Sequence, residues 1–249
     1  VLLSGFAGGD TVTCTVTPED GSTTGVSLSD TIIIDNTAPV LADVSLGPDP
    51  AYEDTTLVCT AGSATDADGS AITLSYAWSV NGGSIAATTD TLTGGDFSKG
   101  DSVACTVTPN DGTIDGASVT SNTVTITNSV PSILSVTIDP DPAVVSDTLV
   151  CSYIGFSDTD GDADLSQISW SISGAEVGAS DTLSGVFDAG DDVTCTVTPG
   201  DDESWGTPMS ATVTIGNTAP TVSDVTLTPD PVRTNDTIVA SASGDDTDG

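Results

Sequence analysis

Carboxylates are the groups in this sequence whose spacing most suggests chemistry. Asp residues recur at every second position in three stretches, "TDADGS" (65–70), "SDTDGDADLS" (157–166) and "GDDTDG" (244–249). Calcium takes about six to eight oxygen ligands from carboxylates and carbonyls on a flexible loop, and Asp-x-Asp-Gly supplies them at a workable spacing. The candidate calcium ligands are therefore Asp158, Asp160, Asp162 and Asp164, with Asp66 and Asp68 as a thinner pair.

The competing interpretation is that these Asp residues only form turns, cap strands and keep the surface soluble. None of the stretches is an EF-hand loop, because the Glu at the twelfth position is missing. Calcium is thus the one cofactor that we expect, and only as a hypothesis.

Catalytic chemistry is poorly supported by the rest of the sequence. The chain has no His, so neither a Ser–His–Asp nor a Cys–His arrangement can form, and zinc sites built with His are excluded. No glycine-rich phosphate loop with a Lys is present. A carboxylate pair could hydrolyse glycosides, but the Asp residues recur in equivalent turns, which suits architecture better than one cleft. We therefore expect no enzyme activity.

The charge of the chain excludes several partners. The 249 residues carry 37 acidic and two basic side chains, Lys99 and Arg233, for a net charge of −35. Nucleic acids and anionic membrane surfaces would be repelled, and no apolar run is long enough to insert into a membrane. All but four of the acidic residues are Asp, a turn former that disfavours helices, while 37% of the residues are hydrophobic and can build cores.

A phrase built around a single cysteine occurs three times. It reads "GDTVTCTVTPEDG" at 9–21, "GDSVACTVTPNDG" at 100–112 and "GDDVTCTVTPGDD" at 190–202, and a Phe precedes each cysteine by eight residues. The period is about 90 residues, which is too long for helical solenoids and typical of tandem β-sandwich modules. Apolar residues alternate with Thr and Ser in every predicted strand, as in a sheet with one solvated face.

The sequence therefore predicts an all-β protein of tandem sandwich domains with about seven short strands each. Complete repeats are expected at 38–129 and 130–218, with a partial repeat at 1–37 and another at 219–249. Short linkers such as "NTAP" contain Pro, which restricts the chain and predicts a semi-rigid array.

The order Cys59, Trp78, Cys105, repeated as Cys151, Trp170, Cys195, resembles the immunoglobulin arrangement. In that fold a disulfide joins strands B and F, and a Trp on strand C packs against it. The resemblance implies disulfides Cys59–Cys105 and Cys151–Cys195, although buried free thiols are the alternative. It also implies structural core roles for Trp78, Trp170, Phe97 and Phe187, and it places the acidic stretches in the BC loops.

The tyrosine-corner position, two residues before the second cysteine, holds Val103 and Val193. This departure favours a bacterial-type Ig-like or PKD-like repeat. The phrases "NTAP", "DADG" and "GDxVxCTVTPxDG" look like the tandem Ig-like repeats of large microbial surface and adhesin-type proteins. For this family we expect an extracellular or cell-surface location, which disulfides also require.

Two residues fall outside the repeat pattern. Cys14 has no strand-B counterpart between Val1 and the next repeat, so we expect its partner outside this sequence. Trp205 lies in the FG loop of the second repeat alone. It is either a contact residue for a partner or a glycan, or it packs locally over its own loop.

The expected function is structural: a stalk or filament segment that contacts neighbouring Ig-like repeats or copies of itself. The alternatives are a calcium-dependent adhesin that binds glycans or other cells, and a non-catalytic spacer in a secreted enzyme. The partial repeats also allow a polymer by strand exchange, although a slice of a longer tandem array is simpler.

Overall fold

The computed structural model describes residues 5–248, and these residues divide into two compact units between Asn128 and Ser129. Every regular element in them is a β-strand, which confirms the predicted all-β class. No helix in the described part of the chain is long and apolar enough to span a membrane.

The first unit contains twelve strands: β1 (Thr11–Val16), β2 (Leu28–Ile33), β3 (Val40–Leu41), β4 (Val44–Gly47), β5 (Leu57–Ala61), β6 (Ala64–Thr65), β7 (Thr73–Val80), β8 (Gly83–Ile85), β9 (Thr91–Leu92), β10 (Ser102–Asn110), β11 (Val119–Thr120) and β12 (Val124–Thr125). The second unit contains ten: β13 (Ser135–Asp139), β14 (Ala143–Val144), β15 (Leu149–Ile154), β16 (Gln167–Ile172), β17 (Ala175–Gly178), β18 (Thr182–Leu183), β19 (Asp192–Thr198), β20 (Met209–Gly216), β21 (Thr221–Thr228) and β22 (Val239–Asp245).

Strands β3 to β12 form module one, a two-sheet sandwich. One main sheet has the order β4-β5-β9, and the other has the order β11-β10-β7-β8, with β12 also paired to β10. The short strands β3 and β6 pair with each other as a separate two-stranded sheet. Strand β10 shows why the sequence folds this way, because Val103, Cys105 and Val107 are buried while the residues between them are partly exposed. Period-two alternation places one face of the strand on the core.

Strands β13 to β20 form module two with the same plan. One sheet has the order β13-β15-β18, and the other has the order β14-β20-β19-β16-β17. Strand β14 pairs with β20 in parallel, whereas the remaining pairs of this module are antiparallel.

A disulfide joins the two sheets in each module. Cys59 on β5 is bonded to Cys105 on β10, and Cys151 on β15 to Cys195 on β19, with Cα separations of 6.2 and 6.3 Å. These are the pairs that the immunoglobulin resemblance implies.

A buried Trp lies beside each disulfide. Trp78 on β7 pairs in register with Cys105, and Trp170 on β16 pairs with Cys195. Both indoles are buried, and each Nε1–H donates to a backbone carbonyl at 2.8 Å, that of Thr89 for Trp78 and that of Ser180 for Trp170. The indole polar group is therefore satisfied inside the core. Phe97 and Phe187 complete the two cores at 4% and 3% exposure.

Two-stranded hairpins flank the two modules within the described residues, β1–β2 before module one and β21–β22 after module two. Apolar side chains on these hairpins are exposed, including Val16 and Leu28 at one end and Val225 and Leu227 at the other. Cys14 on β1 is exposed and forms no disulfide within residues 5–248. The predicted repeat boundaries at 37, 129 and 218 remain predictions.

Candidate functional site

The second Asp of each Asp-x-Asp-Gly turn holds a residue of the Pro-containing linker that precedes its repeat. Asp68 Oδ2 accepts a hydrogen bond from the Thr37 amide at 2.6 Å. Asp160 accepts from the Ser129 amide at 2.5 Å and from the Ser129 hydroxyl at 3.1 Å. The same contact recurs a third time, where Asp248 Oδ2 accepts from the amide of Thr218 and from its hydroxyl at 2.8 Å.

The first Asp of each turn fixes the loop that carries this contact. Asp66 Oδ1 accepts from the Asp68 amide at 2.9 Å, and Asp158 Oδ1 accepts from the Asp160 amide at 2.8 Å. Such Asx turns explain why the Asp spacing is two, since the carboxylate reaches the amide two residues further on. The other carboxylate oxygens, Oδ2 of Asp66 and Oδ2 of Asp158, are buried and accept no hydrogen bond from the described residues.

Module two brings three carboxylates together. Asp158 and Asp162 of the BC loop and Asp201 of the FG loop each place an oxygen within 4.8 Å of the others. Asp201 is only 3% exposed, and its carboxylate accepts from the Glu203 amide at 2.7 Å and the Ser204 hydroxyl at 2.9 Å. Three negative charges at this spacing repel one another, so a bound cation would stabilise the cluster, and an all-oxygen donor set suits calcium.

Two other predicted ligands, Asp160 and Asp164, also accept hydrogen bonds, and their roles as calcium ligands remain predictions. Asp160 binds the linker, as described above, and Asp164 accepts from the Tyr153 hydroxyl at 3.0 Å and the Ser166 amide at 2.9 Å. Burial acts to raise the pKa of Asp164, but hydrogen bonds from Ser166 and Tyr153 outweigh burial and hold the pKa below its ordinary value. The structure thus groups Asp158 and Asp162 with Asp201, a residue that Asp-x-Asp spacing alone does not reveal because it lies in another loop.

The FG loops follow the cysteine-bearing strands β1, β10 and β19. All three contain the same set of hydrogen bonds, which we call the FG frame. In the three copies, an Asp carboxylate accepts from the two amides that lie two and three residues further on: Asp20 from Ser22 and Thr23, Asp111 from Thr113 and Ile114, and Asp201 from Glu203 and Ser204. In each copy a Gly amide also donates to a Pro carbonyl at 2.8 Å, closing the loop.

The first FG frame shows how strongly such amides act on a carboxylate. The Ser22 and Thr23 amides hold the pKa of Asp20 well below its ordinary value. Hydrogen bonds to the charged form favour ionisation, so this Asp stays a pure acceptor at neutral pH.

The linker is also bound by the FG loop in the first unit. The side-chain amide of Asn36 donates to Asp111 Oδ2 at 2.7 Å. This contact, followed by the Ile114 amide, lowers the pKa of Asp111. The Gly8 amide, in the turn before β1, donates to Asp68 Oδ1 at 2.9 Å. Asp68 and Asp111 therefore tie the N-terminal hairpin to module one.

The two basic residues lie at turns between strands. Lys99 Nζ donates to Asn128 Oδ1 at 3.0 Å, and the Lys99 amide donates to Glu53 Oε1 at 2.7 Å. The Arg233 amide donates to Asp236 at 2.6 Å. Lys99 thus contributes to holding a linker residue within the first unit.

The strand orders, the sheet-bridging disulfides and the buried Trp beside each one define a protein of tandem immunoglobulin-like β-sandwiches. No protein-family model matches the chain, and no curated protein matches it.

Several solved structures are similar to the chain. The three N-terminal domains of the highly immunogenic outer capsid protein (Hoc) of bacteriophage RB49 are 19% identical over 83% of this chain and 70% of that one, with a TM-score of 0.33. The FN1–FN3 domains of chicken CNTN1 are 12% identical over 83% of this chain and 76% of that one, with a TM-score of 0.30. A two-domain fibronectin type III segment of chicken tenascin is 12% identical over 70% of this chain and 98% of that one, with a TM-score of 0.40.

Proposed function

We propose that the protein is a non-enzymatic structural segment of an extracellular stalk or filament on a microbial cell surface, of the bacterial Ig-like or PKD-like type. The observation that carries this proposal is the linker contact present in three copies, from Thr37 to Asp68, from Ser129 to Asp160 and from Thr218 to Asp248. A protein that only displays independent domains has no need to bind each linker to the domain that follows it.

The physical argument is one of restricted freedom. A flexible linker samples many directions, and each ordered backbone residue costs about 1–2 kcal/mol of conformational entropy. A charge-assisted hydrogen bond from a linker amide to a carboxylate contributes about 1.5–3 kcal/mol, which is enough to hold one linker residue in place. Proline in each linker removes further freedom. Bound linkers favour a semi-rigid array of repeats. The binding partners of such an array are its neighbouring repeats or other copies of the chain.

Other features support the same role. The two disulfides fit a secreted or surface protein. A net charge of −35 argues against nucleic acid as a partner. The sequence contains no His, and its Asp residues are used in turns and linker contacts that recur from repeat to repeat, so we assign no catalytic step to it.

The test is electron microscopy of the surface of the source cells, with an antibody raised against the full chain. We expect label along thin continuous stalks or filaments outside the cell. Label confined to the cell interior, or to soluble monomers in the medium, contradicts the proposal.

A solution experiment tests the linker argument separately. Asp160→Ala removes the acceptor for Ser129, so small-angle X-ray scattering should report a broader distribution of dimensions for this variant than for the wild type. Asp54→Ala changes the net charge equally at an exposed residue and serves as the control. Identical scattering from all three proteins contradicts the role of the linker contact.

A second candidate function, a calcium-dependent adhesin, is favoured by the carboxylates of Asp158, Asp162 and Asp201. A calcium ion there would join the BC and FG loops of module two and order the surface next to them. Isothermal titration calorimetry with calcium chloride should give heat and a higher Tm for the wild type. Asp158→Asn with Asp162→Asn should abolish both effects, and Asp54→Asn should retain them. No heat and no Tm change in the wild type rejects this candidate.

A further inference from the structure

Trp205 presents half of its indole to solvent at the FG loop of module two. Its side chain is 51% exposed, in contrast to 2% for Trp78 and complete burial for Trp170. The other side of the ring lies on Gly200, where a Cβ would be 2.3 Å from Cζ3 of the indole. Gly200 and Trp205 also form an antiparallel bridge. Because Gly200 has no side chain, the indole packs directly on its backbone, and the opposite side of the ring is left open to solvent.

Hydrogen bonds close the loop below the ring. Asp201 is only 3% exposed, and its carboxylate accepts hydrogen bonds from the amides of Glu203 and Ser204. The Gly206 amide donates to the Pro199 carbonyl at 2.8 Å. A preformed loop pays little entropy when a partner binds, so a rigid exposed aromatic is well suited to anchor an interface.

The same frame carries different residues at its tip in the other copies. The bridge position taken by Trp205 holds Thr24 in the N-terminal hairpin and Asp115 in module one. The framing hydrogen bonds are the same in all three. The loop conformation therefore forms with Thr or Asp at this position, and it does not depend on the Trp205 ring.

The charge of the loop and of the whole chain favours a cationic partner for the ring. Asp202 is exposed on the same loop, and the whole chain has a net charge of −35. The face of an indole attracts cations, and it does so more strongly than the other aromatic rings. A negative field raises the local concentration of cationic partners and speeds their association.

We propose that Trp205 and Asp202 form a docking surface for a basic, arginine-bearing segment of another protein. One guanidinium group stacks on the outward face of the indole, and Asp202 accepts hydrogen bonds from the segment. Arginine is favoured over lysine because its planar group stacks on aromatic rings. This inference goes beyond a structural role, and it requires neither a filament nor calcium.

The exposed indole supplies its own assay, because Trp78 and Trp170 are shielded from solvent. The full chain is titrated with a short peptide of alternating arginine and glycine at about 0.15 M salt, where long-range attraction is screened. We expect the peptide to quench the fluorescence of Trp205 in a saturable manner. Variants that lack this indole give no such signal, so their affinity for the peptide is measured by calorimetry. Trp205→Ala, which leaves the charge unchanged, should weaken binding by about 2- to 30-fold.

Two further variants and one control separate the role of the ring from that of the fold. Trp205→Phe keeps an aromatic face and should recover part of the affinity, while Gly200→Ala displaces the indole without removing it and should weaken binding. Asp115→Ala, at the matching position of module one, should leave the affinity unchanged. Circular dichroism and Tm verify that each variant is folded.

Either of two results overturns the proposal. If Trp205→Ala binds the peptide as tightly as the wild type, the peptide is attracted by net charge alone. If a neutral oligosaccharide quenches Trp205 and the arginine peptide does not, the ring belongs to a sugar site.

Discussion

Removal of the Cys59–Cys105 disulfide is the sharpest test of how a module is stabilised. Both residues are buried, at 2% and 0% exposure, and they lie 46 residues apart. Opening a loop of this length returns chain entropy worth about 4 kcal/mol to the unfolded state. Unfolding a module of about 90 residues gains entropy near 0.2 kcal/mol per degree. Cys59→Ala with Cys105→Ala should therefore lower the Tm of module one by about 20 °C.

Differential scanning calorimetry measures this change. Reduction of the wild-type protein should lower the Tm of module one by a similar amount, because the variant and the reduced protein lack the same crosslink. Cys14→Ala is the matched control, since Cys14 is exposed and forms no disulfide among the described residues. We expect this control to remain within about 0.5 kcal/mol of the wild type. A decrease of less than about 5 °C in the double variant would refute the chain-entropy argument.

Three further predictions concern the core, the linker and the FG frame. Trp170→Ala leaves a cavity in module two and should destabilise it by about 3–5 kcal/mol in urea unfolding; a loss below about 1 kcal/mol contradicts its place in the core. Asn36→Ala removes the largest cause of the low pKa of Asp111, so NMR titration should show that this pKa rises toward its ordinary value, and an unchanged pKa contradicts the assignment. In the wild type, the stability that this carboxylate contributes is present above the unfolded-state pKa and is lost as the pH falls through the folded-state pKa. Gly116→Ala places a Cβ about 2.0 Å from a backbone carbonyl oxygen and should cost about 1–3 kcal/mol, whereas Gly83→Ala, whose nearest contact is 3.4 Å, should cost less; equal losses contradict the packing argument.

The sandwich could be predicted because its determinants are local and repeated. Alternation of Val and Thr around Cys105 predicts a strand with one buried face, and β10 has that pattern. The order of Cys59, Trp78 and Cys105 carries the resemblance to the immunoglobulin fold. Each of these signals occurs again in module two, so a chance match is improbable.

The use of the individual Asp residues could not be predicted, because it depends on contacts between distant parts of the chain. Asp160 stays a predicted calcium ligand, and its carboxylate also accepts a hydrogen bond from Ser129, 31 residues away. Asp201 lies in a different loop from Asp158 and Asp162, and only the folded sandwich brings the three together. Local spacing reveals an Asx turn but not which long-range group the second carboxylate reaches.

The disulfides also determine how a module responds to mechanical force. While the Cys59–Cys105 bond holds, the 46-residue interval between these residues cannot extend when the chain is pulled from its ends. At roughly 3.5 Å for each extended residue, about 160 Å of contour length is withheld from stretching. Only the strands outside the ring, such as β4 and β12, can unravel under tension. An oxidised module is therefore a short, stiff element under load, and a reducing agent would make the same chain far more extensible.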